Sequence, residues 1–226
     1  MPDLYSNAVR QRFDRDASNF DAIYRLERSP WSRWFNQRFR KAIFERYDIT
    51  FREADDITGK NVLDIGCGSG VYSVDFARRG AARVLGIDFS ENMLRIARQE
   101  AREHGMGERC EFIQADFLDV SLPREFDVTI AIGVFDYLSD PATFLRKMAL
   151  VTRGRLIASF PGHSLIRERA RRLRYALSRR GHVFFYSEKK IRNICEEAGV
   201  RIRSIIPIRS SGSGFVLVAE QRDATD

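Results

Sequence analysis

The chain has 226 residues and a mass of 26.1 kDa, which is enough for one large domain or one domain with an added cap. Hydrophobic residues make up 44% of the sequence and charged residues 31%, which excludes collagen-like, disordered and disulfide-scaffold proteins. The net charge is +7, and residues 167–180 alone carry +6, because they hold seven arginines and one glutamate. A basic segment in an otherwise nearly neutral chain indicates a local site for anionic groups.

The cysteines and the apolar runs indicate the compartment. Cys67, Cys110 and Cys195 are widely spaced and form no C-x-x-C pair, so we expect reduced, buried thiols and no metal ligands. No apolar run approaches the roughly 20 residues that span a bilayer, and the first residues lack a signal pattern. These features predict a cytoplasmic protein.

Residues 6–48 show helical periodicity, with aromatic side chains among many charges. We expect two or three helices there, broken near Ser29 and Pro30. The aromatic residues serve either as core or as a lid over a bound ligand, and both roles are compatible. We therefore assign residues 1–55 to an N-terminal helical lid. The residues that we expect nearest to the ligand are Phe13, Phe20 and Tyr24.

From residue 61 onwards, short apolar runs alternate with helical segments, a pattern typical of βαβ units and a parallel sheet. The predicted strands are Asn61–Ile65, Arg83–Ile87, Cys110–Gln114, Phe126–Ile132, Arg155–Phe160, Arg201–Ile206 and Phe215–Glu220. The predicted helices lie at 70–79, at Ser90–Glu103 with Ser90 as N-cap, after Pro141, and at Ser187–Ala198 with Gly199 as C-cap. The last two strands are consecutive and predict an antiparallel hairpin in an α/β domain of residues 56–226.

The first predicted strand runs into three alternate glycines, Gly66, Gly68 and Gly70, and then into a helix. Glycines let the backbone turn sharply and approach a ligand closely. The spacing is G-x-G-x-G and position 71 is Val, which disfavours the pyrophosphate of a dinucleotide. Asp64 precedes the loop; it either holds a cationic amine or caps groups within the loop.

Two further carboxylates follow the next two strands. Asp88 ends the second strand, where a carboxylate can accept hydrogen bonds from a ribose diol, and the neighbouring Phe89 can lie against an adenine. Asp116 follows the third strand, where it can accept from an adenine amino group. Because the carboxyl ends of parallel strands share one edge, the three strand ends are expected to converge on one nucleoside.

With these motifs in this order, the chain resembles the class I S-adenosylmethionine-dependent methyltransferases, in particular the small-molecule group that includes those of ubiquinone biosynthesis. The resemblance covers residues 60–160 strongly and 185–220 more loosely. It implies a three-layer, doubly wound, Rossmann-like sheet of seven strands with an antiparallel last strand, and S-adenosylmethionine as methyl donor. A fainter resemblance is to magnesium-protoporphyrin O-methyltransferases. The cofactor-binding residues thus implied are Asp64, Gly66, Cys67, Gly68, Gly70, Asp88, Phe89, Met93, Asp116, Phe117, Ile132 and Tyr24.

Methyl transfer needs in-line alignment and, for a hydroxyl group or acidic carbon, removal of a proton. Related enzymes often have an acid-His pair after the fourth strand, whereas this chain has Asp136 and Tyr137, which argues against a metal or histidine role there. The candidate proton acceptors are His163, His182, Tyr137 and Tyr186. Nucleic acid is disfavoured as acceptor, since the sequence lacks an Asn/Asp-Pro-Pro motif after strand four and a cysteine near strand ends four and five.

The sequence thus predicts a methyltransferase for a small-molecule or lipid-like acceptor, without an obligate protein partner. Residues 163–181 fall where the family commonly inserts a substrate cap, and they predict a helix with arginines along one face. That face is either solvated or in peripheral contact with an anionic membrane. The alternatives are an RNA methyltransferase that uses these arginines on phosphates, and a non-catalytic S-adenosylmethionine-binding module.

Overall fold

The computed structural model describes residues 30–162, 184–211 and 214–222, with side-chain environments from residue 41 onwards. The predictions for Phe13, Phe20 and Tyr24, for His163 and His182, and for the arginine-rich residues 167–180 lie outside this part of the chain.

The described residues alternate between helices and strands as the sequence predicts. The helices are α1 (Pro30–Ala54), α2 (Val71–Arg78), α3 (Glu91–Glu103), α4 (Pro141–Val151) and α5 (Glu188–Ala198). The strands are β1 (Asn61–Ile65), β2 (Arg83–Asp88), β3 (Cys110–Gln114), β4 (Phe126–Ala131), β5 (Thr152–Phe160), β6 (Val200–Pro207) and β7 (Phe215–Gln221). Short 3-10 helices lie at Phe135–Tyr137 and Arg209–Ser211.

The strands form one seven-stranded sheet in the order β3-β2-β1-β4-β5-β7-β6. Strands β1 to β5 are parallel to one another, and β7 runs antiparallel between β5 and β6. The predicted doubly wound, mostly parallel sheet is therefore confirmed, including the antiparallel last strand. The strand order reverses between β1 and β4, and the crevice at such a switch point is where open α/β sheets bind ligands.

Alternating side chains of the central strands supply two separate cores, one on each face of the sheet. Leu63 of β1 belongs to the core that contains α4 and α5, whereas its neighbour Val62 belongs to the core that contains α1, α2 and α3. Both residues are fully buried, as expected for a parallel strand covered on both faces. The result is a helix–sheet–helix sandwich. Among the described helices, none combines the length and apolar character needed to cross a membrane.

Two element boundaries differ from the predictions by three residues or more. Helix α1 extends to Ala54, beyond the periodic stretch ending at residue 48, because Ile49, Phe51 and Ala54 continue its buried face. Strand β5 begins at Thr152, three residues before the predicted start. A register shift against β4 lies within its early part, where a Cβ atom at Gly154 would lie 2.3 Å from the Asp127 carbonyl oxygen. The hydrophobic pattern of the sequence does not indicate this close approach of two backbones.

Candidate functional site

The glycine loop connects β1 to α2 at the switch point of the sheet. Gly66, Gly68 and Gly70 all have positive φ angles, of 69°, 54° and 79°. A Cβ atom on Gly66 would lie 2.6 Å from a Val134 methyl carbon, and one on Gly70 would lie 2.8 Å from the Ala97 Cβ. At Gly68, in contrast, no described atom lies within 4 Å of that position. The first and last glycines therefore permit close packing, while the middle one leaves open space above the loop.

Asp88 joins this loop to the end of β2. Its carboxylate accepts one hydrogen bond from the Gly68 N–H and another from the Ser90 N–H, both at 2.9 Å. Only 8% of the residue is exposed. Each carboxylate oxygen has a second lone pair, so Asp88 can hold the loop and still accept from a diol. Ser90 is the N-cap of α3, as predicted, and accepts from the Met93 N–H at 3.4 Å.

Asp64 lies beneath the loop and is 2% exposed. It accepts a hydrogen bond from the Ser73 hydroxyl group of α2 at 2.6 Å. Burial, together with the negative charge of Asp88, raises the pKa of Asp64 to about 7, although the hydrogen bond from Ser73 opposes the rise. The contact with Ser73 favours the structural alternative for Asp64, in which it anchors α2 below the loop. Direct contact with a ligand amine remains a prediction.

The turn after β3 brings the third carboxylate to the same edge. Asp88 and Gln114 are register partners on β2 and β3. The Ala115 N–H donates to the Asp88 carbonyl oxygen at 3.0 Å, so the two strand ends stay joined beyond the sheet. Asp116 follows directly, and its carboxylate accepts from the Leu118 N–H at 3.0 Å. The structure thus brings the ends of β1, β2 and β3 together, as predicted.

The apolar residues predicted for this site differ in exposure. Phe117 and Met93 are each 3% exposed, so their side chains belong mainly to the core and offer little surface to a ligand. Cys67 is also buried, and its sulfur would lie 2.9 Å from a Cβ atom at Gly86, which fits a small residue filling a crowded turn. Phe89 and Ile132 are partly buried and border the open edge.

The two tyrosines proposed as proton acceptors have different environments. Tyr186 is 1% exposed, and its hydroxyl group donates to the Phe135 carbonyl oxygen at 3.0 Å. Burial raises the pKa of Tyr186, and the nearby Asp136 adds to this effect. A buried hydroxyl group that already donates to the backbone favours a structural role. Tyr137 is partly buried, in the 3-10 helix that follows β4.

Residues 162 and 184 flank the segment 163–183, and backbone contacts join the chain on its two sides. The Phe184 N–H donates to the Asp136 carbonyl oxygen at 2.9 Å, and the Tyr186 N–H donates to the Pro161 carbonyl oxygen at 2.8 Å. A β-bridge also pairs Gly162 with Tyr186. The described residues on the two sides of this segment are therefore joined beyond β5, next to Asp136. Sequence patterns had no signal for this closure.

A family model described as a methyltransferase domain matches residues 57–199. The chain belongs to this methyltransferase domain family. Curated relatives are named ubiquinone biosynthesis O-methyltransferase. The protein of Neisseria meningitidis serogroup A is 37% identical over 99 residues, which are 43% of this chain and 42% of that protein. The protein of Aeromonas salmonicida is 35% identical over 116 residues, 50% of this chain and 48% of that protein. The matches span less than half the length of either relative.

Solved structures extend the similarity of this methyltransferase domain over nearly the whole chain. Magnesium protoporphyrin IX methyltransferase from Synechocystis PCC 6803 with bound SAH has a TM-score of 0.75 at 23% identity, covering 95% of this chain and 98% of that one. The [4+2]-cyclase SpnF has a TM-score of 0.63 at 18% identity, covering 77% and 80%. At these identities the similarity shows the fold, and the cyclase illustrates that one fold hosts different reactions.

Proposed function

We propose that this chain is an S-adenosylmethionine-dependent methyltransferase that acts on a small-molecule or lipid-like acceptor. The observation that carries the proposal is the convergence of an open glycine backbone at Gly68 with the carboxylates of Asp88 and Asp116 at one sheet edge. A Cβ atom at Gly68 would occupy the space above the loop, so the loop fits a ligand that approaches its backbone. The absence of a pyrophosphate spacing fits a sulfonium nucleoside.

In this proposal, different residues bind different parts of the cofactor. Asp88 would accept from the ribose hydroxyl groups, Asp116 from the adenine amino group, and Phe89 would lie against the adenine ring. The backbone from Gly66 to Gly70 would hold the methionine part. S-adenosylmethionine supplies an electrophilic methyl group when bound, so the tasks left to the protein are to orient the acceptor and exclude water.

The acceptor would lie beyond β4 and β5, on the other side of the switch point. Tyr137 stands there, and His163 follows directly after Gly162, so these two residues are our candidates for accepting a proton from the acceptor. Residues 167–180, with a net charge of +6, lie in the sequence between Gly162 and Tyr186, which are paired at this same edge. This placement supports peripheral contact with an anionic membrane, through which a cytoplasmic enzyme would reach a lipid-like acceptor.

The proposed division into an N-terminal lid of residues 1–55 and a methyltransferase domain of residues 56–226 is supported by helix α1. This helix ends at Ala54 and is held by contacts with the 3-10 helix after β6 and with strand β5. The Glu45 carboxylate accepts from the N–H groups of Arg209 and Ser210 at 2.8 and 2.7 Å. The Arg155 guanidinium group donates to the Glu53 carbonyl oxygen at 2.7 Å. The described part of the proposed lid is therefore a helix fixed to the methyltransferase domain.

Calorimetric titration with S-adenosylmethionine and S-adenosylhomocysteine tests the proposal. We expect micromolar binding, lost in Asp88→Ala and retained in Glu111→Ala, which removes an exposed carboxylate that pairs with Arg83. The binding affinity of Asp88→Asn and the thermal unfolding of both Asp88 variants distinguish a lost ligand contact from a disrupted glycine loop. A folded protein that binds neither ligand would overturn the proposal. Tight binding without turnover on a broad acceptor panel would favour a non-catalytic module. An affinity for RNA that falls steeply with salt would favour an RNA methyltransferase.

A further inference from the structure

Lys147 of α4 reaches the turn that carries the proposed adenine carboxylate. Its ammonium group donates to the carbonyl oxygens of Leu118 and Val120, at 2.7 and 2.6 Å. The same nitrogen lies 5.1 Å from the centre of the Phe117 ring. One side chain thus contacts three successive parts of the turn, and none of these contacts is needed to form α4 itself.

The turn is held from two directions. Strand β3 stands at the end of the sheet order, and β2 is its only partner among the described strands. Contacts with β2 hold the turn from one direction, through Ala115 and through the Gln114 amide group, which donates to the Phe89 carbonyl oxygen at 3.1 Å. From the other direction, α4 supplies Lys147 and the Phe144 ring, whose centre lies 5.1 Å from that of Phe117.

The electrostatics of Lys147 fit a partly buried group that holds the turn. Partial burial lowers the pKa of Lys147, while the charges of Asp119 and Asp116 oppose this effect. Charge-assisted hydrogen bonds to carbonyl oxygens are stronger than neutral ones. Exclusion of water strengthens them again, because it lowers the local dielectric constant. A lysine whose ammonium group donates to two backbone carbonyl oxygens therefore fixes the path of the chain between them.

We infer that Lys147 is a positioning residue for recognition of the nucleoside base: it holds the Asp116–Val120 turn so that the Asp116 carboxylate meets an exocyclic amino group. The inference rests on the proposed function, since it assigns Asp116 to the adenine edge. Lys147 does not contact the ligand. Its effect is the placement of Asp116, whose carbonyl oxygen and carboxylate both lie within the turn's own hydrogen bonds.

The test compares S-adenosylhomocysteine with S-inosylhomocysteine, in which an oxygen replaces the amino group of the base. We expect the wild-type protein to prefer the adenosyl ligand, because Asp116 accepts from an amino group and repels a carbonyl oxygen. In Lys147→Met, we expect S-adenosylhomocysteine to bind about tenfold more weakly, roughly 1.4 kcal/mol, with little change for S-inosylhomocysteine. Lys147→Arg keeps the charge and the donors, and is expected to restore most of the preference.

Arg146→Met is the matched control, because Arg146 is the preceding residue of α4 and donates instead to the Glu197 carbonyl oxygen at 2.7 Å. It should leave both affinities unchanged. Equal weakening of both ligands in Lys147→Met would show a merely structural role and overturn the inference, as would an unchanged preference. If Lys147→Met does not fold, Lys147→Gln gives the same comparison. A wild-type protein that binds neither ligand would overturn the proposed function, and the inference with it.

Discussion

The carboxyl group of Asp64 and the hydroxyl group of Ser73 meet at 2.6 Å beneath the glycine loop, and both residues are almost completely buried. This contact joins the central strand to the first helix after it. It also places an ionisable group where water cannot stabilise its charge, which makes the stability of the fold depend on pH.

Asp64→Asn is expected to change the pH dependence of unfolding. The pKa of Asp64 is about 7 in the folded protein and close to 3.8 when unfolded, so the unfolded chain releases its proton first as the pH rises. Stability is therefore lost between about pH 4 and pH 7, by on the order of a few kcal/mol, and this loss is absent in the variant. Urea unfolding across this range measures the effect. Parallel pH profiles for the two proteins would contradict it.

Gly66→Ala and Gly68→Ala form a matched pair, because both glycines have positive φ angles. Each substitution costs about 1–2 kcal/mol for that backbone conformation. Only Gly66→Ala adds a clash, with Val134 at 2.6 Å, so it should be less stable than Gly68→Ala by roughly 1–3 kcal/mol. Gly68→Ala should fold and bind S-adenosylhomocysteine weakly. Chemical denaturation and calorimetry give the two readouts, and equal stability of the variants would contradict the packing argument.

Tyr186→Phe is expected to lower stability while leaving the chemistry intact. The variant loses the hydrogen bond to the Phe135 carbonyl oxygen and leaves that buried group without its donor, at a cost of about 1–3 kcal/mol. Once an acceptor is identified, the pH profile of methyl transfer should be unchanged in Tyr186→Phe. A lost basic or acidic limb in that profile would assign proton transfer to Tyr186. Tyr137→Phe serves as the comparison.

Glu45→Ala is expected to loosen the attachment of α1 to the end of β6. Two backbone N–H groups lose their carboxylate acceptor, which costs about 1–3 kcal/mol in the free energy of unfolding. Asp48→Ala, an exposed position on the same helix, is the control and should be nearly neutral. Amide hydrogen exchange at Arg209 and Ser210 should rise only in the first variant. Unaltered exchange there would show that the contact does not hold the loop.

The sequence predicts the strands and the acids of the site well, because both depend on local patterns. An apolar run that ends in Asp88, or in Gln114 before Asp116, places a carboxylate at a strand end wherever the strand lies in the sheet. Lys147 and Ser73 carry no such signal. Each is one polar residue on an amphipathic helix, and only packing decides whether it meets solvent, a carbonyl oxygen or a buried acid. The start of β5 is missed for the same reason, since Gly154 records a close approach between strands.

The backbone contacts that join Pro161 to Tyr186 and Asp136 to Phe184 connect the chain on the two sides of residues 163–183. The sequence of this stretch can therefore change independently of the sheet. The sheet and the glycine loop are complete without the residues between these contacts, so that stretch can change in length and sequence at little more than the cost of closing a longer loop, which grows slowly. We predict that exchange of residues 163–183 between members of the family changes the choice of acceptor and leaves binding of the nucleoside unchanged.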